Sequence, residues 1–336
     1  MSEFAAGPAG RIERVRALMV ERGYDAIVVR DEANPRWLTG VKGVFDYTFE
    51  FPHAAFITAD QCLFHTDSRY LNSFEENTPG GSPWVYDMDE GTIPGWVAGK
   101  IAANKCRVCA VEDDMQINFY QGIQRGLEDR SVACMLPLMH DDIRKMRAIK
   151  DAEEIELMRH AQSITDAAFQ HMLGFIKPGM TEKQVRNELE NFMFANGADS
   201  LAFGSIVASG PNTANPHAVP SDRVIEKGDF VLMDYGAGYC DYRSDMTRTV
   251  VMGEPTQEQL DLYALVRRTH EECVAAIHPG VEGNDIFKLS KKIIGDAGYG
   301  DYYNHGLGHG VGIDIHELPN FNRSKNIIEV GSVITM

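Results

Sequence analysis

The stretch FVLMDYGAGYCDYRSDMTRTVVMG, residues 230–253, constrains this chain more than any other. Its ends, Phe230-Val231-Leu232-Met233 and Thr249-Val250-Val251-Met252, are short apolar runs rich in β-formers, with a Gly-containing break between them. That pattern reads as a buried β-hairpin, yet it carries two carboxylates, Asp234 and Asp245. A turn centred on Tyr239-Cys240 sets the two directly opposite each other, with Cβ atoms roughly 4.5–5.5 Å apart. Like charges at that separation repel and destabilise a sheet. The pattern therefore predicts something positive between them.

The rest of the chain narrows what that cation serves. With 336 residues there is room for two domains, each with its own core. A formal charge of −17 excludes a nucleic-acid or anionic-membrane surface, which needs clustered Lys and Arg. No apolar run approaches membrane-spanning length, and the opening MSEFAAGPAGRIERV lacks the apolar centre of a signal peptide. The expectation is a soluble cytoplasmic protein. Six cysteines (Cys62, Cys106, Cys109, Cys134, Cys240 and Cys273) are scattered through the chain and do not form a disulfide framework. Cys106 and Cys109 make a lone CxxC, read as reduced structural thiols.

Residues 11–140 alternate helical and strand-like segments, an α/β pattern. Arg11–Arg22 reads as an amphipathic helix with Ile12, Val15, Leu18 and Met19 on one face, ended by Gly23. Strands are expected at Ala26–Val29, Ala54–Thr58, Gln61–His65 and Arg107–Val111. Asp67 and Arg69 make either a turn-stabilising ion pair or a small binding site. The chain becomes charged near Asp141–Lys150, and the domain boundary is placed there, giving residues 1–142 and 143–336. Asp151-Ala-Glu-Glu154 and Thr181-Glu-Lys-Gln184 then read as helix N-termini with capping signals. Ile176-Lys-Pro-Gly179 recurs as Ile277-His-Pro-Gly280, each copy between two helices. The matching order of elements predicts an internally duplicated α+β domain.

Two further stretches carry imidazoles. In HGLGHGVGIDIHELP, residues 305–319, His305 and His309 are four apart, but four interspersed glycines rule out a helix and with it the HExxH zinc motif. Alternating glycines point instead to a strand where another backbone or a ligand comes very close. His316 follows in the same stretch. ASGPNTANPHAVP, residues 208–220, reads as a loop bearing His217. Hard carboxylate oxygens plus imidazoles suit a divalent first-row metal such as Mn, Co, Fe or Zn. The lack of thiolates argues against structural zinc. A pair of carboxylates can also bridge two cations, a recurring hydrolytic device.

At these residues, and over essentially its whole length, the sequence resembles the aminopeptidase P, prolidase and creatinase family of pita-bread metallopeptidases. The resemblance implies an α/β creatinase-type N-terminal domain and a pita-bread catalytic domain with a pseudo-twofold repeat. It implies that Asp234, Asp245 and His309 are metal ligands and that His305 lines the active site. It further implies that His316 contacts substrate or shuttles protons, and that His217 helps stabilise the tetrahedral intermediate. The N-terminal segment, with NPRWLTG and HTDSRY, counts against a methionine aminopeptidase, and the ligand set counts against metal-free creatinase. The activity implied is hydrolysis of Xaa-Pro bonds in dipeptides or peptide N-termini, with two divalent ions, Mn foremost and Co, Zn or Fe as alternatives, in a homodimer. The family's two glutamate ligands, in T-x-E-P-G and R-x-E-D strands, have no counterpart up to GSVITM336, and Glu317 and Glu329 match neither. The expectation is then one bound ion or none in this chain, as a truncated product or an inactive remnant. The alternatives are a binding or dimerisation module and a creatinase-like amidinohydrolase.

Overall fold

The computed structural model describes residues 7–44, 52–88, 91–322 and 326–336; Met1–Ala6, part of the opening read for a leader, lie outside them. The chain forms two compact units, Met1–Arg147 and Ala148–Met336.

The first unit holds helices α1 (Gly7–Arg22), α2 (Ala33–Thr39), α3 (Leu71–Asn77), α4 (Ile93–Ala103), α5 (Ile117–Asp129) and α6 (Asp142–Arg147). Its strands are β1 (Ala26–Val29), β2 (Ala54–Thr58), β3 (Cys62–His65), β4 (Val85–Asp87) and β5 (Cys109–Val111), in the order β4-β3-β2-β1-β5. β1 and β2 are buried at every position, as their continuous apolar runs require. α1 buries Ile12, Val15, Leu18 and Met19, the face its periodicity marks. Asp67 and Arg69 are an ion pair at 2.7 Å on an exposed turn. All six cysteines are free thiols, and burial pushes the Cys106 thiol up to about 11. The division falls at Arg147/Ala148 instead of 142/143, because α6 belongs to the first unit. Arg147 donates to Asn34 Oδ1 at 2.7 Å and Arg144 pairs with Asp31 at 2.9 Å, both on or beside α2.

The second unit begins with α7 (Ala152–Phe175) and α8 (Glu182–Ala195), both opened by the capping boxes read from the sequence, Asp151/Glu154 and Thr181/Gln184. Short strands β6 (Ser200–Leu201) and β7 (Ile206–Ser209) follow. The long hairpin comes next as β8 (Phe230–Tyr235), β9 (Ala237–Tyr239), β10 (Tyr242–Arg243) and β11 (Met246–Val251). Helices α9 (Gln257–Ala276) and α10 (Gly283–Asp296) and strands β12 (His309–Gly310) and β13 (Glu317–Asn320) complete it. Among the described residues no helix is long and apolar enough to cross a membrane.

The repeated tetrapeptide marks a real duplication. Ile176 ends α7 and Ile277 ends α9, both in extended conformation. Gly179 and Gly280 then take φ of 96° and 93°, and their N–H groups donate to Ile225 and Ile328. Bridges Thr181–Val224 and Glu282–Ile327 continue the parallel, and Gly228 and Gly331 share a φ of 94°. In the first half, Ile164, Ala168 and Met172 of α7 and Val185, Leu189 and Met193 of α8 pack on Val207, Val231 and Met233 of the sheet. Leu189 is fully enclosed there. Leu189→Ala is expected to destabilise this unit by about 2–5 kcal/mol through the cavity it leaves. Leu260→Ala, on a half-exposed α9 position, should change stability by less than about 0.5 kcal/mol. Denaturant unfolding of both variants checks the contrast.

Candidate metal centre

The hairpin turns at Cys240-Asp241, which have φ of 47° and 71°. Tyr239 pairs with Tyr242 and Gly238 with Arg243, so this is a two-residue turn with both central residues left-handed. The expected centre at Tyr239-Cys240 is therefore corrected by one residue. It would have forced the bulky Tyr239 into positive φ, which an Asp at the second turn position tolerates far better. The register shifts by two. Asp234 lies opposite Thr247, not Asp245, and continuing the ladder puts Asp245 opposite Gly236. The two carboxylates are diagonal neighbours on one face, a Cα separation of about 7–8 Å in ordinary sheets. Gly236 makes this possible, because a Cβ there would sit 1.9 Å from the Ser244 carbonyl oxygen. Ser244 and Thr165 of α7 share a hydrogen bond at 2.7 Å, and both hydroxyls accept from Ala237 N–H. The backbone just before Asp245 is thereby fixed.

His309 comes from the other half. β12 lies between β13 and the extended segment 333–335: His309 pairs with Asn320, and Thr335 N–H donates to His309 O at 2.8 Å. The glycines follow from this squeeze. A Cβ at Gly308 would meet Thr335 O at 2.3 Å, and one at Gly310 would meet Leu318 O at 2.2 Å. His309 Nδ1–H donates to Gly310 O at 3.0 Å, which leaves the Nε2 lone pair for the site. That Nε2 stands 3.4 Å from Asp245 Oδ2. His316 packs edge-on against the His309 ring, with centroids 4.3 Å apart. Arg243 ties hairpin to loop: its N–H donates to Gly312 O at 2.8 Å, and its Nε–H donates to Ile313 O at 2.7 Å. Beside His316, Glu317 pairs with Lys150 at 2.9 Å, with both side chains almost fully buried.

The electrostatics describe a site that lacks positive charge. Burial raises the Asp234 carboxyl above its ordinary value; a hydrogen bond from Thr247 and the nearby His217, His309 and His316 draw it back only in part. Burial, and then the charge of Asp234, push Asp245 up to about 7. Asp234 Oδ1 is buried without a hydrogen-bond partner among the described residues. His316 is lowered by burial, then by His309 and His217. Two carboxylates raised by burial, an unpartnered oxygen and an aimed imidazole nitrogen fit a divalent cation. Among the described residues, however, no three His, Cys, Asp or Glu side chains close tightly enough to hold an ion by themselves.

Of the residues singled out in the sequence, Asp234, Asp245, His309 and His316 come together. His217, on an exposed loop, reaches them electrostatically. His305 does not join them: its Nδ1–H donates to Gly306 O at 2.7 Å and its ring packs on Tyr303. Sequence reasoning missed Thr247, Arg243, the Lys150–Glu317 pair and Glu182. Arg243 and Thr247 sit inside the quoted hairpin, and the correct turn would have placed Thr247 against Asp234.

Comparison with known proteins agrees with this architecture. Residues 156–336 match the model of metallopeptidase family M24, and residues 11–149 match that of the creatinase/prolidase N-terminal domain. The peptidase YqhT of Bacillus subtilis is 35% identical over 334 residues, covering 97% of this chain and 89% of that protein. The structure of an Xaa-Pro dipeptidase from Bacillus anthracis superposes with a TM-score of 0.87 at 34% identity, covering 98% of this chain and 89% of the other. A prolidase from Pyrococcus furiosus does so with 0.82 at 28%, covering 95% and 89%. The chain belongs to metallopeptidase family M24, with the pita-bread fold and a creatinase-type first domain.

A raised carboxyl makes a signed prediction. Folded Asp245 binds its proton more tightly than the unfolded chain does, so without metal its contribution to stability is lost as pH rises from about 4 through about 7. Asp245→Asn removes that loss. In chelator at pH 8 the variant should melt above the wild type, and the gap should shrink towards pH 5.5. A gap that is constant with pH would contradict the assignment.

Proposed function

We propose that this protein is a metal-dependent peptidase that hydrolyses the bond between an N-terminal residue and proline, in dipeptides or short peptides. The convergence of Asp234, Asp245 and His309 carries the reading, since these groups come from two halves of the fold and serve no evident packing purpose. The Xaa-Pro dipeptidase and prolidase that share its fold support the substrate class. Asp234, Asp245 and His309 would supply donors to divalent metal, Mn foremost, with Co, Zn and Fe compatible with the same donors. When bound, such ions supply Lewis acidity and lower the pKa of a water molecule to near neutrality.

The chain's own residues do the rest. The Gly310 carbonyl keeps the His309 proton on Nδ1 and so keeps Nε2 unprotonated. Asp245 gives up its proton as a ligand must. His316, held neutral by burial and by neighbouring imidazoles, orients the peptide and exchanges protons with it. His217 stabilises the negative charge that develops on the scissile carbonyl. His305 lines the approach to the site, a role resting on the resemblance alone. The same reading makes the protein a cytoplasmic homodimer, its compartment supported by six free thiols. The first unit then serves as the creatinase-type domain.

The test is steady-state hydrolysis of Xaa-Pro dipeptides by the full gene product with Mn²⁺. Cleavage is expected, with kcat/KM down at least ~10²-fold in Asp245→Asn and His309→Ala, since each would remove a donor to the metal and with it the charge stabilisation that the metal supplies. No cleavage of any proline peptide would instead leave a binding or dimerisation module.

A further inference from the structure

Glu182 opens α8, where an acidic side chain normally points into solvent and favours the positive end of the helix dipole. Here it does not. Its side chain is fully buried and turned towards the loop that carries His217. One oxygen, Oε1, accepts from Ser209 N–H at 2.7 Å, Ser209 Oγ–H at 2.9 Å and Asn212 Nδ2–H at 3.0 Å. The other, Oε2, accepts from Ser221 N–H at 2.9 Å and Ser221 Oγ–H at 2.7 Å. Ser209 and Ser221 are the two ends of the loop, so a single carboxylate joins them. Arg223 continues the join, donating to Ser209 Oγ and to Asp229 Oδ2, each at 2.6 Å. Burial pushes the Glu182 carboxyl up, but the hydrogen bonds from Ser221, Asn212 and Ser209 outweigh it and keep the group ionised at neutral pH.

The sister half shows that the helix start itself does not call for this carboxylate. The Thr181–Val224 and Glu282–Ile327 bridges make Gly283 the counterpart of Glu182. A Cβ at Gly283 would stand 2.6 Å from Asn320 O, so the segment beyond packs its backbone directly on α10. The carboxylate is particular to the half with the His217 loop. His217 is exposed and has no hydrogen bond of its own among the described residues, so its place depends on how the ends of the loop are held.

We propose that Glu182 is a positioning residue: by clamping Ser209, Asn212 and Ser221 it holds the 210–220 loop so that His217 faces the Asp234–Asp245 site. This rests on the proposed role of His217. A small displacement of such a group costs about 10²-fold in rate.

The experiment combines a mutant cycle with hydrogen exchange on the full gene product with Mn²⁺. Glu182→Ala should lower kcat/KM for an Xaa-Pro dipeptide by ~10- to 100-fold and speed exchange across 210–220 while leaving α9 unchanged. In a His217→Ala background the same substitution should change kcat/KM less than about twofold, because the two act through one group. Glu182→Gln keeps the volume but sets an NH₂ against one of the two backbone N–H donors, so it should recover only part of the loss. Where Glu182→Ala does not fold, Asn212→Ala combined with Ser221→Ala trims the clamp from the loop side and is read the same way. Losses that multiply in the double variant, or loop exchange unaltered by either route, would overturn the proposal. Should the wild type not cleave proline peptides, the functional reading falls, and the exchange result alone still decides whether the clamp exists.

Discussion

Asp234 and Asp245 are held on one face of a half-buried hairpin, and the surrounding fold works to keep them there. Left to themselves, two carboxylates so placed repel, and burial adds to the penalty. Gly236 lets the backbones of the two strands close up, since a side chain there would strike the Ser244 carbonyl. Ser244 and Thr165 lock the intervening backbone onto α7. The chain thus spends stability to create a local deficit of positive charge. A divalent cation would fill that deficit, and its binding to the native state would return stability.

The duplication explains how one fold brings two kinds of side chain, carboxylate and imidazole, to one place. Each half runs helix, Pro-Gly turn, helix, then strands, with matching backbone geometry at Gly179 and Gly280. The first half elaborates its strands into the hairpin that bears the carboxylates. The second keeps a short, glycine-rich strand, where neighbouring backbones press on Gly308 and Gly310 and aim His309. Arg243 links the two, reaching from the hairpin to the carbonyls of Gly312, Ile313 and Ala202. The site therefore lies where the halves meet, and each half contributes donors the other lacks.

Much of this was legible in the sequence, for identifiable reasons. Continuous apolar runs marked β1 and β2 to the residue, because strands buried on both faces need no polar alternation. Capping boxes marked α7 and α8, because their hydrogen bonds are local. The hairpin was recognised but misregistered by two, since the choice between Tyr239-Cys240 and Cys240-Asp241 depends on which residue bears left-handed strain. That single error moved Thr247 and Asp245 relative to Asp234. Glu182 was hidden by its own legibility: within Thr181-Glu-Lys-Gln184 it looked like an ordinary first-turn acid, and its partners lie 27 to 39 residues away. His305 resembles His309 in sequence, and its ring packs on Tyr303.

The central claim is that this carboxylate pair, with His309 Nε2, is a cation site whose protons and metal compete. Calorimetric titration of the full gene product with Mn²⁺ across pH tests it most directly. Because Asp245 holds its proton up to about pH 7, affinity should rise about tenfold between pH 6 and pH 8, with release of a proton on binding. His309→Ala should abolish the heat. Affinity that is flat across that range, or binding that survives His309→Ala unchanged, would contradict the account.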